Sequence, residues 1–173
     1  AYDGGWADRL EVIGLDALTS DFPMIPRLKA ERPYPYFCYG LASLLSAHCL
    51  RDVTTRFVAY ADADLYWYQG IDALLREIGE ASIGIVPHRF PPRYAHYETN
   101  GRFNVSAVVF RRDGEIGKAC AEAWAQDCIR RCDASTCGDQ KYLDDWPRLY
   151  GAECHVFTAK GIIPGPWNIW NYD

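Results

Sequence analysis

Phe57 to Trp67 reads FVAYADADLYW: five residues of an apolar run, two aspartates one residue apart, then a hydrophobic and aromatic segment. A short apolar run that ends abruptly in acid predicts a strand buried on both faces. Working outward, Ser82–Val86 (SIGIV), stopped by Pro87, and Val105–Phe110 (VSAVVF) repeat the pattern, and Cys154–Phe157 predicts a fourth strand. Helical spacing fills the intervals. Tyr36–Leu50 places Phe37, Leu41, Leu44, Leu45 and Leu50 on a helix, with Pro35 suited to its first turn. Ile71–Ile78 follows Gly70 as a second helix. Gly114–Cys132 is the longest, with Ala119, Ala123, Trp124, Cys128 and Ile129 toward the core, and Asp139–Trp146 is a short one. Leu10–Leu15 reads as a short strand or a turn into a helix. Asp16–Arg32, with Pro23 and Pro26 inside it and Pro33 after it, reads mostly as loop with a helical turn, and Pro87–Arg102 and the tail Lys160–Asp173 read as loop. Strands alternating with helices predict an α/β fold, a mostly parallel sheet flanked by helices. Ligands of such sheets sit at the carboxyl ends of the strands. The polar clusters after Ala61, after Val86 and around Asn104 fall at or near such ends.

The chain has 173 residues, the size of one domain with a core that needs no staple. Hydrophobic residues make up 49% and charged residues 24%, which excludes disorder as the default. No apolar run approaches the roughly 20 residues of a membrane span, and no basic segment followed by an apolar one marks a signal peptide. The net charge of −5 argues against nucleic acid as a partner, and the longest basic cluster is Arg130-Arg131. Seven cysteines cannot all pair within one chain, and no CxxC occurs. Cys120, Cys128 and Cys132 share a helical face, as small buried hydrophobes do, which predicts a reduced, cytoplasmic chain. Cys128, Cys132 and Cys137 lack a fourth ligand at the usual zinc spacing.

Asp62 and Asp64 carry the sharpest chemistry. Two carboxylates at a strand end can turn toward one ion where the backbone bends, and hard oxygen ligands suit Mg²⁺ or Mn²⁺. The plain alternative is a solvated acidic loop. The same spacing also opens the haloacid-dehalogenase phosphatase motif, whose first aspartate is a nucleophile, although Leu65-Tyr66 fits that motif poorly. Gly138-Asp139-Gln140 places a carboxylate and an amide at a helix start, where they can hold the hydroxyls of a polyol; Asp139 as a simple N-cap is the alternative. Asn104 opens a strand and can bridge ligand hydroxyls. Asn104-Val105-Ser106 is formally a glycosylation sequon, discounted in a buried strand. His88 and Arg89 follow a strand and can face a diphosphate or serve the fold. Pro164–Asn168 (PGPWN) is a rigid loop whose Trp167 fits either a sugar face or the core.

Taken together, these segments resemble the nucleotide-diphospho-sugar transferases of the glycosyltransferase A-type (GT-A) fold, related to the retaining family-eight enzymes and glycogenin. The likeness runs from about Tyr36 to Tyr172 and rests on five ordered motifs: YADADLYW, IVPHRFPPRYAH, FNVSAVVFR, GDQKYLDDWP and GPWNIWNY. It implies a single partial GT-A domain over residues 1–173 that moves a hexose from a nucleotide-diphosphate sugar to a glycan, lipid or protein hydroxyl, with Mn²⁺ or Mg²⁺. Asp64 is then a metal ligand, and Asp62 binds metal and nucleotide ribose. Asn104 touches the donor sugar, Asp139 and Gln140 line the transferred sugar and the reaction centre, and Trp167 and Asn168 bind substrate. The resemblance also implies an earlier nucleotide-binding strand and a later histidine ligand that the 173 residues lack; His48, His88, His96 and His155 do not match that role. The alternative from another class is a non-catalytic module that binds sugar nucleotides or a partner.

Overall fold

The apolar runs form four strands: β1 (Phe57–Ala61), β2 (Ile83–Pro87), β3 (Phe103–Arg111) and β4 (Cys154–Val156). The computed structural model describes residues 10–52, 54–67, 70–159 and 161–171; the rest of the expected 1–173 domain, including Lys160 of the tail and Tyr172 of the last motif, lies outside the described residues. The strands lie in the order β1-β3-β2-β4. Both β1 and β2 pair antiparallel with β3, and β2 pairs parallel with β4. The α/β class holds, but the sheet is mixed where a mostly parallel one was expected. The cause lies between β2 and β3. A parallel neighbour needs a crossover over the sheet face, usually a helix. Here the connection is a 3₁₀ stretch, Pro92–Asn100, with no buried residue. Gly101 turns it back at φ +125°, a value few residues other than glycine adopt. Strand direction leaves no trace in a doubly buried apolar run, so the sequence pattern was silent on it.

Three strands therefore share one direction and β3 opposes them. The carboxyl ends of β1, β2 and β4 and the amino end of β3 meet at a single edge of the sheet. At that edge β3 is irregular. Its partners in β2 run from Ile85↔Val108 to Val86↔Asn104, which leaves Val105 to Ala107 unmatched in that ladder. Phe103 and Val105 pack in the same apolar cluster as Val108 and Phe110, whereas Ala107 and Val109 face the other cluster. The bulge thus changes which residues point to which face, as an inserted residue must in a period-two strand.

One face of the sheet is covered by α1 (Leu15–Asp21), α2 (Ile25–Glu31), α3 (Tyr34–Asp52) and α5 (Glu115–Arg130); the other carries α4 (Asp72–Ile78) with Phe157, Ile162 and Ile163. The expected loop Asp16–Arg32 is mostly helix. Pro26 sits in the first turn of α2, where a missing N–H costs nothing, so a residue that reads as a breaker begins the helix instead. The Asp139–Trp146 segment is a 3₁₀ stretch, Gln140–Asp145, leading into the helix α6 (Trp146–Tyr150). Cys38, Cys120, Cys128, Cys132, Cys137 and Cys154 are free thiols. Among the described residues, no helix is long and apolar enough to cross a membrane.

Trp124 of α5 ties this core to the sheet edge. It is 1% exposed and stands edge-on to Trp146, with ring centroids 5.7 Å apart. Its indole N–H donates to the backbone carbonyl of Asp139 at 2.9 Å. Trp124→Phe removes that buried hydrogen bond, a loss of about 0.5–1.5 kcal/mol before any cavity cost. Urea melts should show this destabilisation, and an unchanged midpoint would mean that the indole bond contributes nothing.

Candidate functional site

Strand periodicity puts Tyr60 and Asp62 on the same face of β1. The Tyr60 hydroxyl donates to Asp62 Oδ1 at 2.7 Å. The Asp62 N–H donates to the Ser106 carbonyl at 3.0 Å, so the carboxylate sits where β1 is still pinned to β3. The chain then turns, with Leu65 N–H donating to the Asp62 carbonyl, and leaves Asp64 exposed beyond the strand. Burial holds the Tyr60 phenol protonated far above its ordinary range, helped by its bond to Asp62 and by the charges of Asp62, Asp139 and Asp64. Tyr60 thus bonds Asp62 directly and feels the charges of Asp64 and of Asp139, the latter 75 or more positions along the chain.

Asp139 reaches this place by a chain of local constraints. Asp133 and Thr136 form a reciprocal capping box over Ala134–Thr136. Cys137 and Gly138 follow in left-handed conformations at φ +48° and +71°. A side chain at Gly138 would press on the Tyr39 ring, with its Cβ 2.7 to 3.1 Å from three ring-side atoms. The Asp139 side chain makes no capping bond, which removes the simplest structural role for it. It is 5% exposed. Burial pushes its carboxyl up to about 7, against a bond from its own backbone N–H, and the charge of Asp62 adds to the rise. The same carboxylate weighs on the thiols of Cys128 and Cys137, both of which are pushed up, Cys128 first by its bond to Cys132 and Cys137 first by burial.

Asn104 is 2% exposed and lies at the bulge. Its Oδ1 accepts from the Ser106 N–H at 3.2 Å, so the side chain braces the irregular turn of β3. Its Nδ2 has no partner among the described residues. A short path of bonds therefore runs from Asp62 through Ser106 to Asn104 and ends in an unused buried donor.

Other expected site residues serve the fold. Gln140 Nε2 donates to the Asn100 carbonyl at 3.0 Å, which fastens the Pro92–Asn100 stretch to the start of the Gln140–Asp145 segment. Asn168 is fully buried, its Nδ2 donating to the His88 carbonyl at 2.7 Å and its Oδ1 accepting from Gly165 N–H at 2.9 Å. Trp167 donates its indole N–H to the same His88 carbonyl at 3.0 Å and stands edge-on to the His88 ring. Arg89 donates to the carbonyls of Ile162, Phe157 and Ala159. Trp167 and Asn168 are thus gathered on His88, and the guanidinium that could face a diphosphate is used to hold the chain after β4. Tyr60 escaped the sequence reading because it looked like strand filler; its two-residue spacing from Asp62 was the available signal.

Among the described residues, no Lys, Arg or His forms an ion pair with Asp62, Asp64 or Asp139. Nor, among the described residues, is any group of three or more His, Cys, Asp or Glu side chains placed to hold a metal ion. A hard cation such as Mg²⁺ needs less than a cage: one or two carboxylates suffice when substrate phosphates and waters complete its sphere. By residue type, Asp62, whose Oδ1 accepts from Tyr60, and the exposed Asp64 are the two carboxylates that such a set would draw on. No protein-family model matches the chain. It is 29% identical over 158 residues to the uncharacterized protein YfnD of Bacillus subtilis (strain 168), an alignment covering 87% of this chain and 50% of that protein. The chain thus spans about half the length of this curated relative. No solved structure matches.

The raised carboxyl of Asp139 has a consequence for stability. Below about pH 4 the group is protonated whether folded or unfolded. As pH rises toward about 7 the unfolded chain releases the proton while the folded one keeps it, so stability falls, and it levels off above the folded value. Asp139→Asn removes this loss. The unfolding free energy of the variant, from urea melts, should match wild type near pH 4 and exceed it increasingly up to about pH 8, by on the order of a few kcal/mol at about 1.4 kcal/mol per pKa unit. A constant difference across that range would place the carboxylate in contact with water.

Proposed function

We propose that the chain is a GT-A-type glycosyltransferase domain that moves a hexose from a nucleotide-diphosphate sugar to an acceptor hydroxyl with the aid of Mn²⁺ or Mg²⁺. The observation that carries this reading is the acidic edge itself: Asp62, Asp64 and Asp139 bear on one Tyr60 hydroxyl without a basic partner among the described residues. Carboxylates whose charges act on one another without a basic partner favour a cation or a proton. The DxD spacing after an apolar strand and the four further motifs add the likeness to nucleotide-sugar enzymes.

In this reading Asp62 and Asp64 hold the divalent ion, which supplies Lewis-acid neutralisation of the departing diphosphate. Asp62 is oriented by the Tyr60 hydroxyl, which donates to its Oδ1. Asn104, with Nδ2 unused, donates to a hydroxyl of the donor sugar. Asp139 lies against the transferred sugar. With its carboxyl near 7 it can donate a hydrogen bond when protonated or accept one when ionised, which suits a group beside a reacting hydroxyl. Gln140 contributes by holding Asn100 and thereby the rim of the site. Trp167 and Asn168 support the reading through the tail they fasten rather than through a free polar atom.

The test is transfer by the full-length protein from a panel of nucleotide sugars, followed by mass spectrometry of the products, with Asp64→Asn in parallel. The variant should fold as wild type does, because it loses an exposed like charge. It should also lose on the order of a hundredfold or more in rate, since removing one electrostatic stabiliser typically costs about 3 kcal/mol. Full turnover by Asp64→Asn would remove that residue from the mechanism. Release of inorganic phosphate from sugar phosphates, with no glycoside formed, would favour the phosphohydrolase alternative.

A further inference from the structure

Several arginines lie over aromatic rings, and most of them also serve the fold through polar bonds. Arg51 lies over Phe22, Arg56 and Arg111 over Phe57, and Arg102 over Phe103. Arg51, Arg56 and Arg111 are ion-paired with acids, and Arg102 donates to the Asp144 carbonyl at 3.1 Å. Arg93 differs on both counts. Its guanidinium lies over two rings, 4.8 Å from the centroid of Tyr94 and 5.9 Å from that of Trp170. It is exposed, and among the described residues no hydrogen bond or ion pair engages it. The two rings come from separate segments, each fixed. Tyr94 follows β2; its N–H donates to the Pro91 carbonyl at 2.8 Å, and its ring meets Tyr97, which meets Phe90, which stacks on the buried His88. Trp170 lies in the 3₁₀ turn Ile169–Asn171, where Asn171 Nδ2 donates to the Arg89 carbonyl at 2.7 Å. A guanidinium held on ring faces presents its planar fork of N–H donors ready-oriented, so less freedom is lost when the fork is used.

We propose that Arg93, clamped between Tyr94 and Trp170, is a binding site for an oxyanion, the phosphate or carboxylate of a sugar-sized ligand. Both groups offer two oxygens in one plane, which the guanidinium fork meets bidentately. In a chain of net charge −5, a fixed cation with no acid set against it is complementary to a negative ligand rather than to the protein's own surface. The clamp lies on the segment that carries the chain from the carboxyl end of β2 to the amino end of β3. It uses no atom of Asp62, Asp64 or Asp139, so it stands or falls apart from the glycosyl-transfer reading.

The test is a titration of the chain with glucose 1-phosphate, glucuronate and glucose, followed by nuclear magnetic resonance at the Trp170 indole N–H and the Arg93 Nε–H. The probes share a pyranose ring and differ in the charged group. At least one anion should give saturable shifts at both reporters, and glucose should give none; the tighter anion identifies the source as phosphate or carboxylate. Arg93→Ala, read at Trp170, should weaken that binding by about tenfold or more, the worth of a charge-assisted hydrogen-bonded pair. Arg93→Lys keeps the charge without the fork and should fall between wild type and Arg93→Ala. Trp170→Leu, read at Arg93 Nε, keeps the charge and removes one wall, and should also weaken binding. Both positions are exposed, so the variants should keep the fold. No saturable shift with either anion, or glucose binding as tightly as they do, overturns the proposal, and so does Arg93→Ala binding as wild type does. Wild-type affinity in Trp170→Leu or Arg93→Lys reduces Arg93 to an ordinary surface charge and overturns the clamp.

Discussion

β3 runs against both of its neighbours, and the rest of the molecule is arranged around that reversal. A strand hydrogen-bonded on both edges has no freedom to slide, because a one-residue slip would turn its buried side chains out of both apolar layers. With β3 fixed, β1 and β2 must end at the edge where β3 begins. That edge collects Asp62 from β1, His88 after β2 and Asn104 from β3. The bulge at Val105 to Ala107 falls at the same edge, and Asn104 braces it by accepting from Ser106 N–H. The irregularity and the polar residues are one feature: the strand gives up a regular ladder there, and side-chain groups take over part of the hydrogen bonding.

Asp139 comes to this edge from the other side of the core. Its backbone is held by the Trp124 indole, and the Tyr142 hydroxyl fastens the same segment to the carbonyls of Asp127 and Arg131 at the end of α5. Gly138 lets the backbone pass beneath Tyr39. These contacts fix the backbone and leave the carboxyl without a cap. A buried carboxyl whose only donor is its own backbone N–H is costly when ionised, and the charge of Asp62 raises the cost. The aromatic core thus holds a group where its charge is disfavoured, in the way that functional groups with displaced pKa values are held.

Much of this was legible in the sequence. The four strands and the helices α3, α4 and α5 follow from apolar period alone, and each stands within a few residues of where Tyr36–Leu50, Ile71–Ile78 and Gly114–Cys132 put it. The DxD position at a strand end was legible for the same reason. Strand direction was not, because a doubly buried run such as VSAVVF carries no face preference from which to read it. The roles of Asn168 and Arg89 were hidden too. An asparagine or arginine beside prolines and aromatics has the same composition whether it binds a ligand or a backbone carbonyl, and only the His88, Phe157 and Ile162 carbonyls distinguish the two. Prolines misled at α2, where the residue that forbids a helix interior is the one that starts it.

Acids elsewhere in the molecule set the strand edge in relief. Arg51 lies between Asp21 and Glu122, Arg111 is shared by Glu80 and Asp113, Arg131 meets Asp133, and Glu77 receives the N–H groups of Thr158 and Ala159. At these places a carboxylate has a cation or backbone donors set against it. At the end of β1 three carboxylates have one neutral hydroxyl within their common field. That hydroxyl satisfies a single lone pair of Asp62 and neutralises no charge. A fold under selection for stability alone would place an arginine there, as this one does beside Asp21 and Glu80. Among the described residues no Lys, Arg or His forms an ion pair with these three carboxylates, and the orphaned amide donor of Asn104 lies at the same sheet edge, so under the proposed function the charge of a divalent ion carrying a diphosphate would answer this shortage.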